Sequence, residues 1–400
     1  MINIFLIPSW YPDKNNTLSG SFIKEQAMMI AEEHENKVNY FVSIASLYTL
    51  SPKAIIQSIK NLKNYKNDEC KINKLLSNYI EYYSKSLSWS NIVLNGNLDN
   101  QIQNHRKRLK NLLNEGIKID ILHAHVSYPA GYIAYILSKD FDIPFIITEH
   151  MSPFPFNAYI KNKQILNQIK QSMENSARVI AVSNSLKKDI AKLNMKKEIV
   201  VISNFINENN YVEEKAKINK KIFTFLSVGS MTSQKGIDIL LRAIKDIPNL
   251  QEIKFRIVGD GNQKEEYIKL SQDYNIFDKV EFVGKLDRKN IIEEFNNCDA
   301  FVLPSRHESF GIVYIEALAF GKPIIATKCG GPEDIVNDIN GKLVDIGDVK
   351  QLVEAMLDII GNINFYDPDA IREDFLNRFS KKLNTKKYVD LYRQVLEENV

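Results

Sequence analysis

Two glutamates eight residues apart, Glu308 and Glu316, stand in the stretch VLPSRHESFGIVYIEALAFGKPIIATKCGGPEDI, residues 302–335. Glu308 closes a loop behind an apolar run. Ser309-Phe310-Gly311 opens a helical pattern that carries Glu316 more than one turn inside, flanked by Ile315, Ala317 and Leu318. An interior carboxylate among apolar neighbours is costly unless something pairs with it. Carboxylates on a loop and on the helix after it can accept hydrogen bonds from the hydroxyls of a sugar or a ribose. The N–H groups of Gly311 and Ile312, at the start of that helix, can hold a diphosphate. Two ordinary surface glutamates fit the same spacing, so the rest of the chain has to decide.

Other segments point to the same chemistry. An apolar run ends in Gly229-Ser230-Met-Thr-Ser-Gln-Lys235-Gly236 before a helical pattern. A lysine at a helix start works against the helix dipole, and a phosphate partner accounts for it. Gly259-Asp260-Gly261 follows the next apolar run and resembles part of a dinucleotide fingerprint without its third glycine. Gly20 and Ser21 open the first helical pattern, where backbone N–H groups can face an anion. Three of the six histidines, His123, His125 and His150, fall at the ends of two apolar runs. A single strand-end histidine is commonly structural; the clustering makes His125 and His150 site candidates.

The elements that must position these residues follow from periodicity. Apolar runs at 2–7, 38–45, 119–123, 144–148, 178–182 and 199–202 alternate with helical patterns near 21–34, 129–138, 160–175 and 184–193. The back half repeats the scheme. It has strands at 223–228, 253–258, 280–283, 299–303 and 323–326, and helices near 236–246, 262–274, 288–297, 311–320, 348–360 and 370–398. This alternation predicts an α/β protein with two doubly wound, Rossmann-like parallel sheets. The domains are expected at 1–205 and 222–379, with a polar linker over 206–221. Ligands in such sheets bind beyond the carboxyl ends of the strands, where all the candidates above lie.

The 400 residues are 44% hydrophobic and 25% charged. That is a globular mix, not a disordered, collagen-like or disulfide-stapled one. Lys and Arg number 52 against 49 Asp and Glu, a net charge of +3, which gives no sign of a nucleic-acid binder. Residues 46–118 are too long for one crossover. They hold twelve basic and five acidic side chains, the whole surplus of the front half. Ile55, Ile56, Ile59, Leu62 and the 72–80 segment have helical spacing there. Both a solvated helical insertion and a basic face for an anionic membrane or acceptor fit. The three cysteines, Cys70, Cys298 and Cys329, are sparse and odd in number, as suits a reducing cytosol. The apolar opening is too short for a signal peptide, and no apolar stretch approaches 18 residues. A cytoplasmic protein is expected, with any membrane contact peripheral.

At this point the chain resembles glycosyltransferase family 4, the retaining nucleotide-sugar transferases of the GT-B fold. ESFGIVYIE matches the family's E-x7-E motif, with PSRHESFG before it and GKPIIAT after it. GGPEDIV and NGKLV follow at the family's spacing. ARVIAVSNSLKKDI, VISNFIN, HAHVSYPAG and TEH match its front-domain segments. The resemblance covers nearly the whole chain, is closest over 223–345 and is absent over 46–118.

The resemblance implies a GT-B fold whose two domains face across a cleft, acceptor domain first, with the C-terminal stretch 380–400 crossing back to complete it. From pattern alone, Leu383, Tyr388, Leu391, Tyr392 and Val395 fit a core-facing helix of the back domain nearly as well. Lys235 would neutralise the donor diphosphate, with Gly229, Ser230 and Gly259 in the loops around it and Gly20 closing from the front domain. Gly311 and Ile312, beside Phe310, would offer backbone N–H groups to the phosphates. Glu316 would bind the ribose, Glu308 the sugar hydroxyls near C3 and C4, and Lys285 and Leu286 would flank the base. His150 would lie near the reactive carbon, and His125 and Tyr128 on the acceptor side. His150, Lys235 and Glu308 are thus the expected catalytic set.

One departure stands out: the family usually places an arginine where this chain has Ser230, so either Arg306 or another cation substitutes, or donor affinity falls, or the donor is unusual. The implied reaction moves a hexosyl residue from a nucleoside-diphosphate sugar, a UDP-sugar by expectation, to a hydroxyl of a glycan or lipid-linked acceptor. The setting would be cell-surface polysaccharide or glycolipid synthesis. No metal or other cofactor is expected, and the Asp140/Asp142 and Asp367/Asp369 pairs are read as chance. A nucleotide-sugar 2-epimerase on the same fold, a non-catalytic sugar-binding protein and an NAD-dependent oxidoreductase are rival classes. The missing signal peptide weighs against the second and the missing G-x-G-x-x-G against the third.

Overall fold

A computed structural model describes residues 1–12, 19–50, 54–67, 70–89, 96–211, 222–248 and 250–398. The expected linker lies outside them from residue 212 on, as does most of the loop after the first strand. The chain forms two compact units. The first comprises Met1–Val182, Lys187–Ile202 and Thr385–Val400; the second comprises Ser183–Leu186 and Ser203–Asn384.

The first unit runs β1 (Ile2–Pro8), α1 (Ser21–Glu33), β2 (Val38–Leu50), α2 (Ile55–Asn67), β3 (Ile72–Leu76), β4 (Tyr79–Trp89), α3 (Gly96–Asn114), β5 (Ile121–His125), α4 (Tyr132–Phe141), β6 (Phe145–Glu149), α5 (Asn157–Ile160), α6 (Lys163–Asn175), β7 (Arg178–Ala181), α7 (Asn184–Ala191) and β8 (Ile199–Val201). Its sheet has the order β3-β4-β2-β1-β5-β6-β7-β8, parallel throughout except for the antiparallel pair β3–β4. Every residue of β5 and of β6 is buried. Strands covered on both faces read as unbroken apolar runs, which is why the sequence shows them.

The second unit runs β9 (Phe223–Val228), α8 (Ile237–Lys245), β10 (Ile253–Val258), α9 (Lys264–Asp273), β11 (Val280–Gly284), α10 (Arg288–Asn297), β12 (Ala300–Leu303), α11 (Ile312–Ala319), β13 (Ile324–Thr327), β14 (Gly341–Val344), α12 (Val349–Gly361), α13 (Pro368–Phe379) and the first residues of α14 (Lys381–Glu398). Its parallel sheet has the order β11-β10-β9-β12-β13-β14. The order reverses between β9 and β12 here, and between β1 and β5 in the first unit. A parallel sheet opens a crevice beyond its strand ends at such a reversal.

Four readings change. The 72–80 segment, expected helical, is a hairpin: β4 pairs with β2 from Tyr40 to Leu50 and with β3 on its other edge. The apolar positions 72, 75 and 80 do fit a helix. The run YIEYYSKSLSW, rich in aromatic residues, prefers a pleated surface, and the open edge of β2 supplies one. The 46–118 insertion is therefore strand and helix together. The helix expected over 370–398 breaks at Ser380, which is extended and bridges to Ile206. β14 was not foreseen, because GKLV is too short for any period. The helix expected from 129 starts at Tyr132, after one wide turn over Ser127–Gly131.

From Thr385 on, α14 belongs to the first unit, as the crossing-back expectation has it. The Tyr392 hydroxyl lies 2.8 Å from that of Tyr40, and Gln26 donates to the Tyr388 hydroxyl at 3.1 Å. Leu383, before that point, is partly exposed.

Candidate active site

In the second unit the loops after β9 and β12 meet at the reversal. Lys235 ends a short 3-10 turn, Ser233–Lys235, and its ammonium donates to Glu308 Oε1 at 2.6 Å. Ser305 Oγ donates to the same oxygen at 2.8 Å. The backbone of Glu308 is also fixed. Its N–H donates to the Cys329 carbonyl at 3.3 Å, and its carbonyl accepts from the Gly331 N–H at 2.9 Å. The loop after β13 thus clamps the loop after β12. Behind Lys235, Gly259 is a structural necessity. Gly259 has φ +143°, and a Cβ there would sit 1.8 Å from the Gly229 carbonyl oxygen. The Lys235 stem lies over Gly229, 3.5 Å from where a Cβ would be, an ordinary contact distance.

Glu316 lies on the inner face of α11 and is nearly buried. Its Oε1 accepts from the Tyr211 hydroxyl at 2.8 Å and pairs with Arg288 Nη1 at 3.0 Å. Arg288 also donates to the Tyr211 hydroxyl and lies over its ring, 5.2 Å from the centroid. The costly interior carboxylate has thus found its partners. Gly311 caps α11 at φ +97°, with no side-chain bond at the helix start. The ring of Tyr314 lies 2.5 Å from where a Gly311 Cβ would be, so only glycine fits. Lys285 and the half-buried Leu286 follow β11, two residues before Arg288. Phe310 turns inward, its ring edge-on to Phe379 at 5.8 Å, so only its backbone is left for a ligand.

Arg306, one expected substitute for the arginine replaced by Ser230, is held by an acidic neighbour. That guanidinium donates to both oxygens of Asp238, at 2.9 and 2.7 Å, and to the Ser233 carbonyl. Burial pushes the Asp238 carboxyl up, but the Arg306 hydrogen bonds and charge outweigh it and hold it below the usual range. The Asp-x-Asp pairs have local roles: Asp140 takes an ion pair from Arg106, and Asp367 caps α13. Among the described residues no three His, Cys, Asp or Glu side chains gather as metal ligands.

In the first unit, β5 and β6 bring the histidines together. His125 Nδ1 and His150 Nε2 are 3.1 Å apart, with the rings stacked at 5.3 Å. Burial pushes His125 down to about 3, and burial together with the neighbouring histidines holds His123 and His150 well below the usual range. All three are neutral at pH 7, so one ring of the His125–His150 pair donates and the other accepts. His150 Nδ1 is buried without a hydrogen-bond partner among the described residues. His123 is the structural one, between the hydroxyls of Tyr392 (2.9 Å) and Thr148 (2.8 Å).

The buried Glu149 accepts from the N–H groups of Ser127, His150 and Met151 at 2.7–2.9 Å, tying the two strand-end loops together. Between them Val126 is held at φ +79°, a strained setting for a β-branched residue. Tyr128 packs edge-on to Tyr159 at 5.3 Å, and burial pushes its hydroxyl up to about 12. Gly20 caps α1 at φ +64°.

The structure thus joins Lys235 to Glu308 and His125 to His150, and surrounds Glu316 with residues that sequence reasoning missed. Ser305 was within reach, three residues before Glu308. Tyr211 and Arg288 are 105 and 28 residues from Glu316, and nothing local in the sequence points to them. Glu149 stands beside a candidate, but its spacing carries no sign of the three N–H groups it accepts.

Two doubly wound parallel sheets, each with a reversal of strand order, are the architecture of the GT-B fold. HepE of Anabaena, solved in complex with UDP, has this fold: it matches over 98% of this chain and 100% of its own, with a TM-score of 0.72 at 19% identity. The chain belongs to glycosyltransferase family 4. Residues 91–210 match the model described as Glycosyltransferase Family 4, and residues 208–367 the one described as Glycosyl transferases group 1. An uncharacterized glycosyltransferase of Methanocaldococcus jannaschii is 32% identical over 295 residues, 72% of this chain and 78% of the relative. A lipopolysaccharide core biosynthesis glycosyltransferase of Rhizobium meliloti, LpsE, is 30% identical over 208 residues, 50% of this chain and 60% of the relative.

Proposed function

We propose that this glycosyltransferase moves a hexosyl residue from a UDP-sugar to a hydroxyl of a glycan or lipid-linked acceptor, with retention at the sugar's C1. The observation that carries the reading is the ammonium of Lys235 held against Glu308 beside the bare N-terminus of α11. Cation, carboxylate and helix N–H groups together suit a diphosphate joined to a sugar. The UDP found with HepE supports the donor base, and the activity named for LpsE supports a cell-surface polysaccharide or glycolipid product. The acceptor is taken to be met on the cytoplasmic side, the protein being at most peripheral to the membrane.

The roles follow from chemistry. Bond cleavage between C1 and the phosphate oxygen leaves negative charge on the diphosphate, which Lys235 and the Gly311–Ile312 N–H groups stabilise. Glu308 accepts from the sugar hydroxyls, which fixes the ring. Glu316 accepts from the ribose, and the Lys285–Leu286 backbone lines the base. The acceptor oxygen bonds to C1 on the face the diphosphate leaves, and the acceptor proton passes to the departing phosphate oxygen. His150 serves the reacting sugar through Nδ1, and His125 holds the partner nitrogen; Tyr128 serves the acceptor. Metal is dispensable where Lys235 and the helix carry the charge.

The test is a screen of UDP-, GDP- and ADP-sugars for turnover in the presence of EDTA, followed by NMR of the product's anomeric centre. Retention with a UDP-sugar and undiminished rate in EDTA is expected. Inversion, or a strict metal requirement, overturns the mechanism.

A further inference from the structure

The helix α2 is turned inside out. Its half-buried residues are Ser58, Asn61, Asn64 and Tyr65, while Ile55, Ile56, Ile59 and Leu62 are 66%, 86%, 64% and 39% exposed. An amphipathic helix on a globular protein ordinarily buries its apolar stripe. Here the polar face is the anchored one. The Tyr65 ring packs edge-on against Tyr48 of β2 at 5.7 Å, and Lys85 of β4 donates to the Tyr65 carbonyl at 2.6 Å while lying over its ring. The outward arrangement is therefore fixed by contacts and is not a loose end of chain. At about 100° per residue, Ile55, Ile59, Leu62, Lys63 and Lys66 fall on one side, with Ile56 at its margin and the exposed Lys60 about 60° beyond it. The segment 54–67 contains three lysines and no acidic residue.

We propose that α2 docks this enzyme on an anionic lipid bilayer, its isoleucines entering the acyl boundary and Lys60, Lys63 and Lys66 meeting the headgroup phosphates. The chemistry is that of an interfacial helix: branched apolar tips with long basic side chains whose stems lie along the apolar surface. Charge selects the occupant. A second copy would bring the same lysines against themselves, whereas an anionic headgroup layer neutralises them. Each lysine near such a surface strengthens binding roughly fivefold at physiological salt. The inference takes the lipid-linked branch of the acceptor reading, but the adsorption itself needs neither donor nor acceptor.

The experiment is co-flotation of the full-length protein with phosphatidylcholine vesicles, with and without 30% phosphatidylglycerol, alongside light scattering of the protein alone. Wild type is expected to float with anionic vesicles and to bind neutral ones at least tenfold more weakly. The double variant I56D/I59D should lose at least tenfold in anionic-vesicle binding. The triple variant K60Q/K63Q/K66Q should lose about a hundredfold. Both substitutions are at exposed positions, so melting temperature and transfer to a short soluble acceptor should stay at wild-type values. Unchanged flotation of I56D/I59D overturns the proposal. So does a wild-type dimer that this variant dissolves while vesicle binding persists. Vesicle binding without any transferase activity would instead remove the functional reading and leave the docking surface standing.

Discussion

The ammonium of Lys235 and the carboxylate of Glu308 lie 2.6 Å apart, on loops that follow two strands adjacent at the reversal of the sheet. Each holds the other in place before a ligand arrives. On the proposed function, a diphosphate entering here would take a share of the Lys235 charge and leave Glu308, still steadied by Ser305, to accept from sugar hydroxyls. Lys235→Ala should therefore lower kcat/KM by roughly 10²–10³-fold, the usual effect of removing a charge-stabilising donor. It also leaves the Glu308 carboxylate, 8% exposed, with the Ser305 hydroxyl as its partner among the described residues. Stability should drop by about 1–3 kcal/mol. Initial rates of nucleoside diphosphate release and a thermal melt check both; near-normal turnover would sink the assignment.

Tyr211 and Arg288 point to a separable effect. They hold Glu316, the residue proposed to meet the ribose and not the reacting sugar, from the side. Tyr211→Phe removes a hydrogen bond to a charged group, typically about 1.5–3 kcal/mol. Nucleotide affinity should fall roughly tenfold with kcat little changed, as expected of binding common to ground and transition states. Titration calorimetry with UDP, alongside kcat and KM, separates the two. A matching fall in kcat would mean that Glu316 acts on the reacting centre.

How much of this was legible in the chain depends on the range of the interaction. The buried strands showed because both faces are covered, so that ILHAH and FIITE needed no partner to be recognised. The Glu308–Glu316 spacing was visible because a loop and the helix after it are contiguous. What failed was long-range. The 72–89 hairpin exists because β2 offers an open edge, a fact nowhere in residues 72–80 themselves. Arg306 looked like a free substitute for the missing arginine until Asp238, 68 residues away, proved to hold it. The lysines of 46–118 were countable, but the outward turn of the isoleucines depends on Tyr65 finding Tyr48.

Acid should destabilise the first unit through its buried histidines. His105 on α3 is fully buried against Ser43 Oγ at 2.8 Å, and burial pushes it down to about 4. The folded form thus resists a proton that the unfolded chain accepts near 6.5. The stability this provides is intact above pH 6.5 and is lost as pH falls from there toward 4. At pH 5 the loss is on the order of 2 kcal/mol from this residue alone. His123, His125 and His150 act with the same sign. Glu149, whose carboxyl is pushed up by burial, acts with the opposite sign between its ordinary and raised values. The difference between wild type and His105→Gln isolates one share: the variant's melting temperature should fall less steeply between pH 7 and 5. Parallel profiles would mean that His105 takes up its proton as readily in the folded protein as in the unfolded chain.

Gly259 tests whether the donor loops are built as one packed layer. Its φ of +143° is unfavourable for any side chain, and a Cβ would reach within 1.8 Å of the Gly229 carbonyl oxygen. Backbone on both sides of that collision has to move, because β9 and β10 pair along their whole length up to Val228 and Val258. The piece free to yield is the loop that carries Gly229 and supports the Lys235 stem. Gly259→Ala should therefore cost about 2–4 kcal/mol of stability and, in the fraction that folds, at least tenfold in UDP affinity. Gly361→Ala is the control: it ends α12, and a Cβ there meets nothing within 4 Å. That change should leave binding untouched and leave the melting temperature equal or slightly raised. If Gly259→Ala binds UDP as wild type does, Lys235 is positioned by Glu308 and Ser305 alone, and the glycine layer beneath it serves only the fold.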